Sequence, residues 1–254
     1  MNAELNPREN ECEIVEFPKV AEEENITKIP KLTKAGEIKK TPCNSIKGKA
    51  HEVYPLKKKE DIEAIKQYYR DKIDSLTNDE DKQIAARDLL IFIFGINCGL
   101  RMSDILKLKW SDLLNRNKTY KDAVRIIEKK TDKFKNFYLN TSCKNAFDNY
   151  TDRFNIERDL DSYIFFSREK NFIDVNTFSS SLKKAAIQCG IQFNVATHTC
   201  RKTWAYNQIM AHQNDAYFMA HLMRLLNHSS ISATLRYAGL EDEKNKQYYN
   251  DINL

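Results

Sequence analysis

The stretch "LLNHSSISATLRYAGL" sets His228 and Tyr237 nine residues apart near the end of the chain. A tyrosine there reads first as a core residue, or else as a nucleophile. A free phenol has a pKa of about 10 and attacks poorly at neutral pH. A nucleophilic role therefore needs a proton acceptor and a positive field. Three other stretches supply such groups. "THTCRKTW" holds His198 and Arg201 three apart, so on a helix imidazole and guanidinium share a face. "GLRMSDILKLKWSDL" puts Arg101 between a glycine and the start of a helix. The competing role there is a surface ion pair with Asp104. "KKTDK" offers Lys129, Lys130 and Lys133 on a tight turn, and Lys130 is the choice among them. Two arginines, two histidines, a lysine and a tyrosine make a set suited to phosphoryl transfer. Guanidinium forks bind two phosphate oxygens at once and stabilise the charge that develops on them. Neither a phosphate-cradling glycine loop nor acidic residues at metal-ligand spacing are seen, so the reading calls for no metal and no other cofactor.

Those residues need a scaffold, and its periodicity is mostly helical. All five prolines lie at or before Pro55, and glycine is scarce throughout. Ile62, Ile65, Tyr69 and Ile73 fall on one face of a first helix over residues 60–73. A second helix spans residues 79–98 and stops at Gly99, a left-handed cap. Ser103 is placed to cap the short helix after it. The period then becomes two. Residues 122–129 and 136–140 read as paired strands around the basic turn, with residues 162–166 as a candidate third strand. Further helices are expected over residues 177–189, ending at Gly190, and over 199–211 and 215–226. Asn227 then takes the left-handed cap position, Ser229 or Ser230 caps the next helix, and that helix carries Tyr237 and stops at Gly239. The fold class is mainly α with a small antiparallel β-sheet.

Composition bounds the partners. The chain has 254 residues, a formal charge of +5 and a pI near 8.7, a mild basic bias that suits an anionic partner. Residues 1–50 run from acidic to basic without an apolar period, so they read as a disordered tail or linker. Residues 51–240 carry the motifs, and residues 241–254 form a polar C-terminal tail. The six cysteines are scattered and form no C-x-x-C pair, which points to reduced thiols and a cytoplasmic setting. The most apolar run, residues 89–96, is too short to span a bilayer, and no membrane partner is expected.

In order and surroundings, the four motifs resemble the catalytic domain of tyrosine recombinases, the phage-integrase and Xer-like family, over about residues 54–240. The resemblance implies an α+β catalytic domain and site-specific DNA recombination through a 3′-phosphotyrosyl intermediate. By position it implies Tyr237 as nucleophile, Arg101 and Arg201 as phosphate ligands, and Lys130 as donor to the departing 5′-oxygen. It likewise implies His198 as base and His228 as a phosphate or proton-transfer partner. Asn227 stands where the family usually has glycine. Members usually carry a separate core-binding domain, and residues 1–50 are too short and too polar to supply one. The implied partners are double-stranded DNA, further copies of the chain assembling as a tetramer on DNA, and accessory DNA-bending proteins. The implied place of work is the nucleoid, and residues 241–254 read either as a segment that docks on a neighbouring copy, as family C-terminal segments do, or as a frayed tail. Lys57, Lys58, Lys59, Lys107, Lys109, Lys133, Lys135 and Lys202 are the expected phosphate contacts. Two rival readings are a type IB topoisomerase and a truncated, non-catalytic DNA-binding accessory protein.

Overall fold

The computed structural model describes residues 52–130, 132–241 and 249–251. The tail expected over residues 1–50 lies outside them, as does most of the segment after 241. The chain enters as an extended strap. The Leu56 N–H donates to Thr203 Oγ1 at 2.8 Å, and Leu56 itself is fully buried.

Helix α1 (Lys59–Ser75) follows, burying Ile65, Tyr69 and Ile73, three of the four residues on the expected face. Helix α2 (Asp79–Cys98) is capped by Asn78, whose side chain accepts from the N–H groups of Glu80 and Asp81. From Ala85 to Gly95 every residue of α2 is buried, so this helix is the axis of the fold. Its sides meet α1, α5 (Thr141–Arg153), α6 (Val175–Gln188) and α7 (Thr197–Ala211). One buried ion pair threads that packing. Arg87 Nη2 meets Asp88 Oδ1 at 2.7 Å, Arg87 Nη1 donates to the Phe166 carbonyl at 2.7 Å, and Ser181 Oγ of α6 donates to Asp88 Oδ2 at 2.6 Å.

Two single-turn helices, α3 (Met102–Ile105) and α4 (Trp110–Leu113), lead to the hairpin of β1 (Val124–Ile127) and β2 (Phe134–Phe137). The strands pair antiparallel, Val124 against Phe137 and Ile127 against Phe134. Two expectations need correction. Ser103 does not cap α3. Arg101 holds the cap position with extended backbone, and Ser103 lies inside the helix. Residues 162–166 add no third strand either. Tyr163 bridges only Lys109, and Phe166 bridges only Phe172. Ile164 and Phe165 are both buried, so this segment lacks the alternation that a strand with one wet face would show.

The last third forms a second, smaller core. Ala205 and Ile209 of α7 pack with Leu222 and Leu226 of α8 (Phe218–Leu226), and with Ala238 and Leu240 after α9 (Ile231–Tyr237). Gly99 closes α2 at φ +64°, and the Trp204 ring of α7 lies over it. A Cβ at that position would sit 2.4 Å from the indole. Gly99→Ala is therefore expected to combine left-handed backbone strain with a steric clash, roughly 3 kcal/mol together. A thermal melt should fall by roughly 6–12 °C, the span expected for a domain of this size.

Candidate active site

Each of the six expected residues is delivered by a structural junction. Arg101 follows the left-handed Gly99 and stands at the start of α3, so its side chain leaves a fixed bend. His198 and Arg201 lie in the first turns of α7, and the Thr199 hydroxyl between them accepts from the Ala196 N–H at 3.1 Å. Asn227 ends α8 in the left-handed region at φ +58° and ψ +44°, a conformation asparagine adopts more readily than most residues. His228 comes next, its N–H bonded to the Met223 carbonyl at 2.9 Å. Ser230 caps α9 by accepting from the Ala233 N–H. Tyr237 is the last residue of α9, and Gly239 turns the chain away at φ +68°. Lys57 of the entering strap donates to the Gly239 carbonyl at 2.5 Å, holding the far end of the same helix.

These junctions converge on one cleft. The rings of His228 and Tyr237 meet edge to face with centroids 5.0 Å apart. His228 Nδ1 lies 3.1 Å from the Thr234 hydroxyl one turn into α9, which fixes the ring. The Lys202 ammonium rides 5.2 Å above the Tyr237 ring. Arg201 is buried, and its Nη2 donates to the Leu226 carbonyl at the end of α8. Lys130 is exposed on the turn after β1, and its charge reaches His198.

Charge shapes proton affinity here. Loss of water and then the charges of Arg201, Lys202, Arg101 and Lys130 push the His198 pKa down. Desolvation, followed by Arg201 and Arg101, does the same to His228. Both imidazoles are therefore held neutral at pH 7. Burial raises the Tyr237 pKa, while Arg201 and Arg101 pull against that rise. The cleft thus pairs a protonated phenol with neutral imidazoles and fixed positive charge.

The sequence reading missed one buried anion. Glu128 is 1% exposed and lies beneath the arginines. Its Oε2 is 2.8 Å from Arg101 Nη1 and accepts from Asn227 Nδ2 at 2.9 Å. Its Oε1 is 3.9 Å from Arg201 Nη1 and 3.6 Å from Lys135 Nζ. Arg101 is thus paired with Glu128, and the competing surface pair with Asp104 does not form. The Nη1 groups of both arginines are buried yet not aligned for a hydrogen bond. Alternation could have found this carboxylate, because Val124, Ile126 and Glu128 all point inward.

Among the expected phosphate contacts, Lys135 needs correction. Its side chain is 10% exposed and its ammonium donates to the Leu225 carbonyl at 2.9 Å. Burial, and then Arg201, lower its pKa to about 8. Lys57 is likewise engaged by Gly239. Lys58, Lys59, Lys107 and Lys133 are exposed, and Lys109 lies 5.4 Å over the Tyr163 ring.

A mainly helical domain whose site gathers a tyrosine, two arginines and two histidines has the form of a tyrosine-recombinase catalytic domain. Comparison with known proteins agrees. The family model described as "Phage integrase family" matches residues 66–244. The probable integrase/recombinase YoeC of Bacillus subtilis is 34% identical over 202 residues, 78% of this chain and 96% of YoeC. The tyrosine recombinase XerC of Caldanaerobacter subterraneus is 26% identical over 69% of this chain and 47% of its own length. The chain therefore belongs to the phage integrase family, the tyrosine recombinases. It spans nearly all of YoeC but about half of XerC. Among solved structures, XerA recombinase superposes with a TM-score of 0.55 at 21% identity, covering 83% of this chain and 66% of XerA. A lambda integrase dimer bound to a core site gives a TM-score of 0.54 at 17% identity, over 76% of this chain and 62% of that one. Both show the same fold. Among the described residues, no helix is long and apolar enough to cross a membrane.

The depressed His198 pKa has a testable consequence. An imidazole that must accept a proton loses activity as it becomes protonated. Strand cleavage should rise with pH along an acidic limb whose midpoint lies below the ordinary imidazole value of about 6.5. A single-turnover pH profile between pH 5 and 8, repeated with His198→Ala, measures it, and the limb should flatten in the variant. Stability shares the sign. The unfolded chain takes up this proton first as pH falls, so His198 makes the fold less stable below about pH 6.5.

Proposed function

We propose that this chain breaks and rejoins double-stranded DNA through a covalent link between Tyr237 and a 3′-phosphate. One observation carries the reading. The Tyr237 phenol shares a cleft with two arginines whose Nη1 edges face the buried Glu128 carboxylate, which holds both guanidinium groups beside the phenol. Arg101 and Arg201 hold the non-bridging oxygens and stabilise charge as the phosphorus becomes five-coordinate.

The step balances without an external energy source. The phenolic oxygen attacks phosphorus and gives its proton to His198. The bond from phosphorus to the 5′-oxygen breaks, and Lys130 supplies the proton to that oxygen. The ester with Tyr237 conserves the energy of the broken bond, so a 5′-hydroxyl of the same or another strand can reverse the step. The Thr234 hydroxyl donates to the Ser230 carbonyl, so neutral His228 gives its Nδ1 proton to Thr234 and presents Nε2 to the phosphate, where it donates only after taking up a proton in the transfer. Exposed Lys58, Lys59, Lys107 and Lys133, with Lys202 at the rim, contact backbone phosphates on either side. Strand exchange between two duplexes brings four copies together, as the family resemblance implies, with residues after 241 docking on a neighbour. Accessory DNA-bending proteins and work at the nucleoid belong to the same reading, and residues 1–50 act as a linker or tail.

Two results follow. When the protein is mixed with fragmented genomic DNA and denatured, wild type should retain covalently bound DNA, and Tyr237→Phe should retain none. Sequencing the trapped strands identifies the target; a wild type that traps no DNA overturns the reading. Arg201→Ala should lower the cleavage rate by about 10²–10³-fold, the scale for loss of one transition-state donor. Separately, log Kd for DNA should rise steeply with log salt concentration, and each lysine removed from the rim should reduce that slope by about one.

A further inference from the structure

The buried carboxylate beneath the cleft has a role that the six motif residues do not describe. We infer that Glu128 is a positioning residue of the phosphate site, setting the spacing and aim of the Arg101 and Arg201 guanidinium groups. The inference rests on the proposed DNA cleavage.

The geometry makes the case. Glu128 has partners from four separate parts of the fold. Arg101 comes from the start of α3, Lys135 from β2, Arg201 from α7 and Asn227 from the cap of α8. Glu128 itself stands just past β1, two residues before Lys130. The hairpin turn closes on it from both sides, through the Glu128 N–H to the Lys133 carbonyl at 3.0 Å and the Asp132 N–H to the Glu128 carbonyl at 2.9 Å. One side chain therefore links the two phosphate ligands, the turn with the leaving-group donor, and the residue that aims His228.

Charge explains why a carboxylate fits this place. Two guanidinium groups facing one small anion site repel each other, most strongly when they are partly buried. A carboxylate between their inner edges offsets that repulsion and leaves their other N–H groups for a ligand. For stability alone, well-packed apolar side chains often replace a buried ionic cluster without loss. What they cannot reproduce is a fixed separation between two cations. The same reasoning gives the sign of the binding effect. Glu128 lowers the positive potential at the phosphate position, so its removal strengthens ground-state anion binding while it loosens the geometry. Asp104, also buried, accepts from the Lys129 N–H at 3.3 Å and does not pair with Arg101. It supports the turn and does not substitute for Glu128.

The test compares wild type, Glu128→Gln and Glu128→Asp in the full chain. Cleavage is read as the single-turnover rate of adduct formation on a nicked duplex bearing the sequence trapped by wild type. Binding is read as Kd for that duplex, and as Kd for inorganic phosphate in the absence of DNA. Glu128→Gln keeps an amide for Asn227 to engage and removes the charge. It should slow cleavage by roughly 10- to 100-fold, the penalty typical of misplaced reacting groups. Its affinity for DNA and for phosphate should equal or exceed that of wild type. Glu128→Asp keeps the charge on a shorter arm and should fall between the two in cleavage. It also carries the test if Glu128→Gln is unfolded at the assay temperature. Cleavage by both variants within about threefold of wild type overturns the inference, being far below the penalty for misplaced groups. So does a parallel fall of cleavage, affinity and melting temperature, which marks a purely structural role. If wild type itself forms no adduct, the proposed function fails instead. The phosphate measurement still judges Glu128, because weaker phosphate binding by Glu128→Gln contradicts the inferred charge effect.

Discussion

Repulsion among cations is the constraint on which this site turns. Arg101, Arg201, Lys135, Lys130 and Lys202 crowd one cleft, and two of them have side chains 10% exposed or less. Water cannot screen such a cluster as it does on a surface. The protein offsets it with buried Glu128, with Asp104 nearby, and with the carbonyls of Leu225 and Leu226 at the C-terminal end of α8. Those carbonyls belong to the negative end of a helix, where cations are stabilised. The balance remains positive. Burial, and then the arginine charges, lower the Lys135 pKa to about 8 and push both histidines toward their neutral forms. The two arginines and three lysines outnumber the two carboxylates, so the cleft has room for one more negative charge, and a phosphodiester carries one.

Tyr237, the proposed nucleophile, is under a different kind of control, which is mechanical. Helix α9 is only seven residues long and would not persist alone. It is held at both ends. Asn227 and Ser230 set its entry, while Gly239, gripped by Lys57, sets its exit. Thr234 in its middle fixes His228, and Ala238 and Leu240 bury its far end against α7 and α8. Because Lys57 belongs to the strap that precedes α1, the start of the domain and the position of Tyr237 are mechanically linked.

Much of this was legible in the sequence, because the site is built at helix ends and helix ends leave marks. Gly99, Asn227, Ser230 and Gly239 all fill the cap or turn roles that their residue types suggest. The helical face of α1 and the span of α2 follow from apolar periodicity. Physics that joins distant positions was harder to read. Nothing local says that Glu128 should meet Arg101, Arg201 and Asn227, since those contacts exist only once three elements have packed. Lys135 was misplaced for a related reason. A lysine in a basic turn reads as solvated, yet strand register opposes it to inward-facing Ile126. The period-two pattern already contained that information, with Lys135, Phe137 and Leu139 on one face.

The character of the cleft also bears on specificity. In the proposed reaction, guanidinium groups, imidazoles and a lysine would contact phosphate oxygens, which are the same at every nucleotide. On that proposal the six motif residues would choose a bond to break but not a sequence. Base-edge contacts or a preference for deformable DNA must supply that choice, and both need surfaces outside the catalytic cluster. The exposed outer face of the hairpin, with Ile127 and Phe134 uncovered and Arg125 stacked 3.9 Å from the Phe134 ring, is physically separate from the inward face that carries Glu128 and Lys135. Strand alternation thus divides the hairpin into a side that serves the chemistry and a side free to vary without disturbing it. Substitutions on the outer face can change what the protein touches at little cost to the arginine geometry, whereas a substitution at Glu128 changes the chemistry directly.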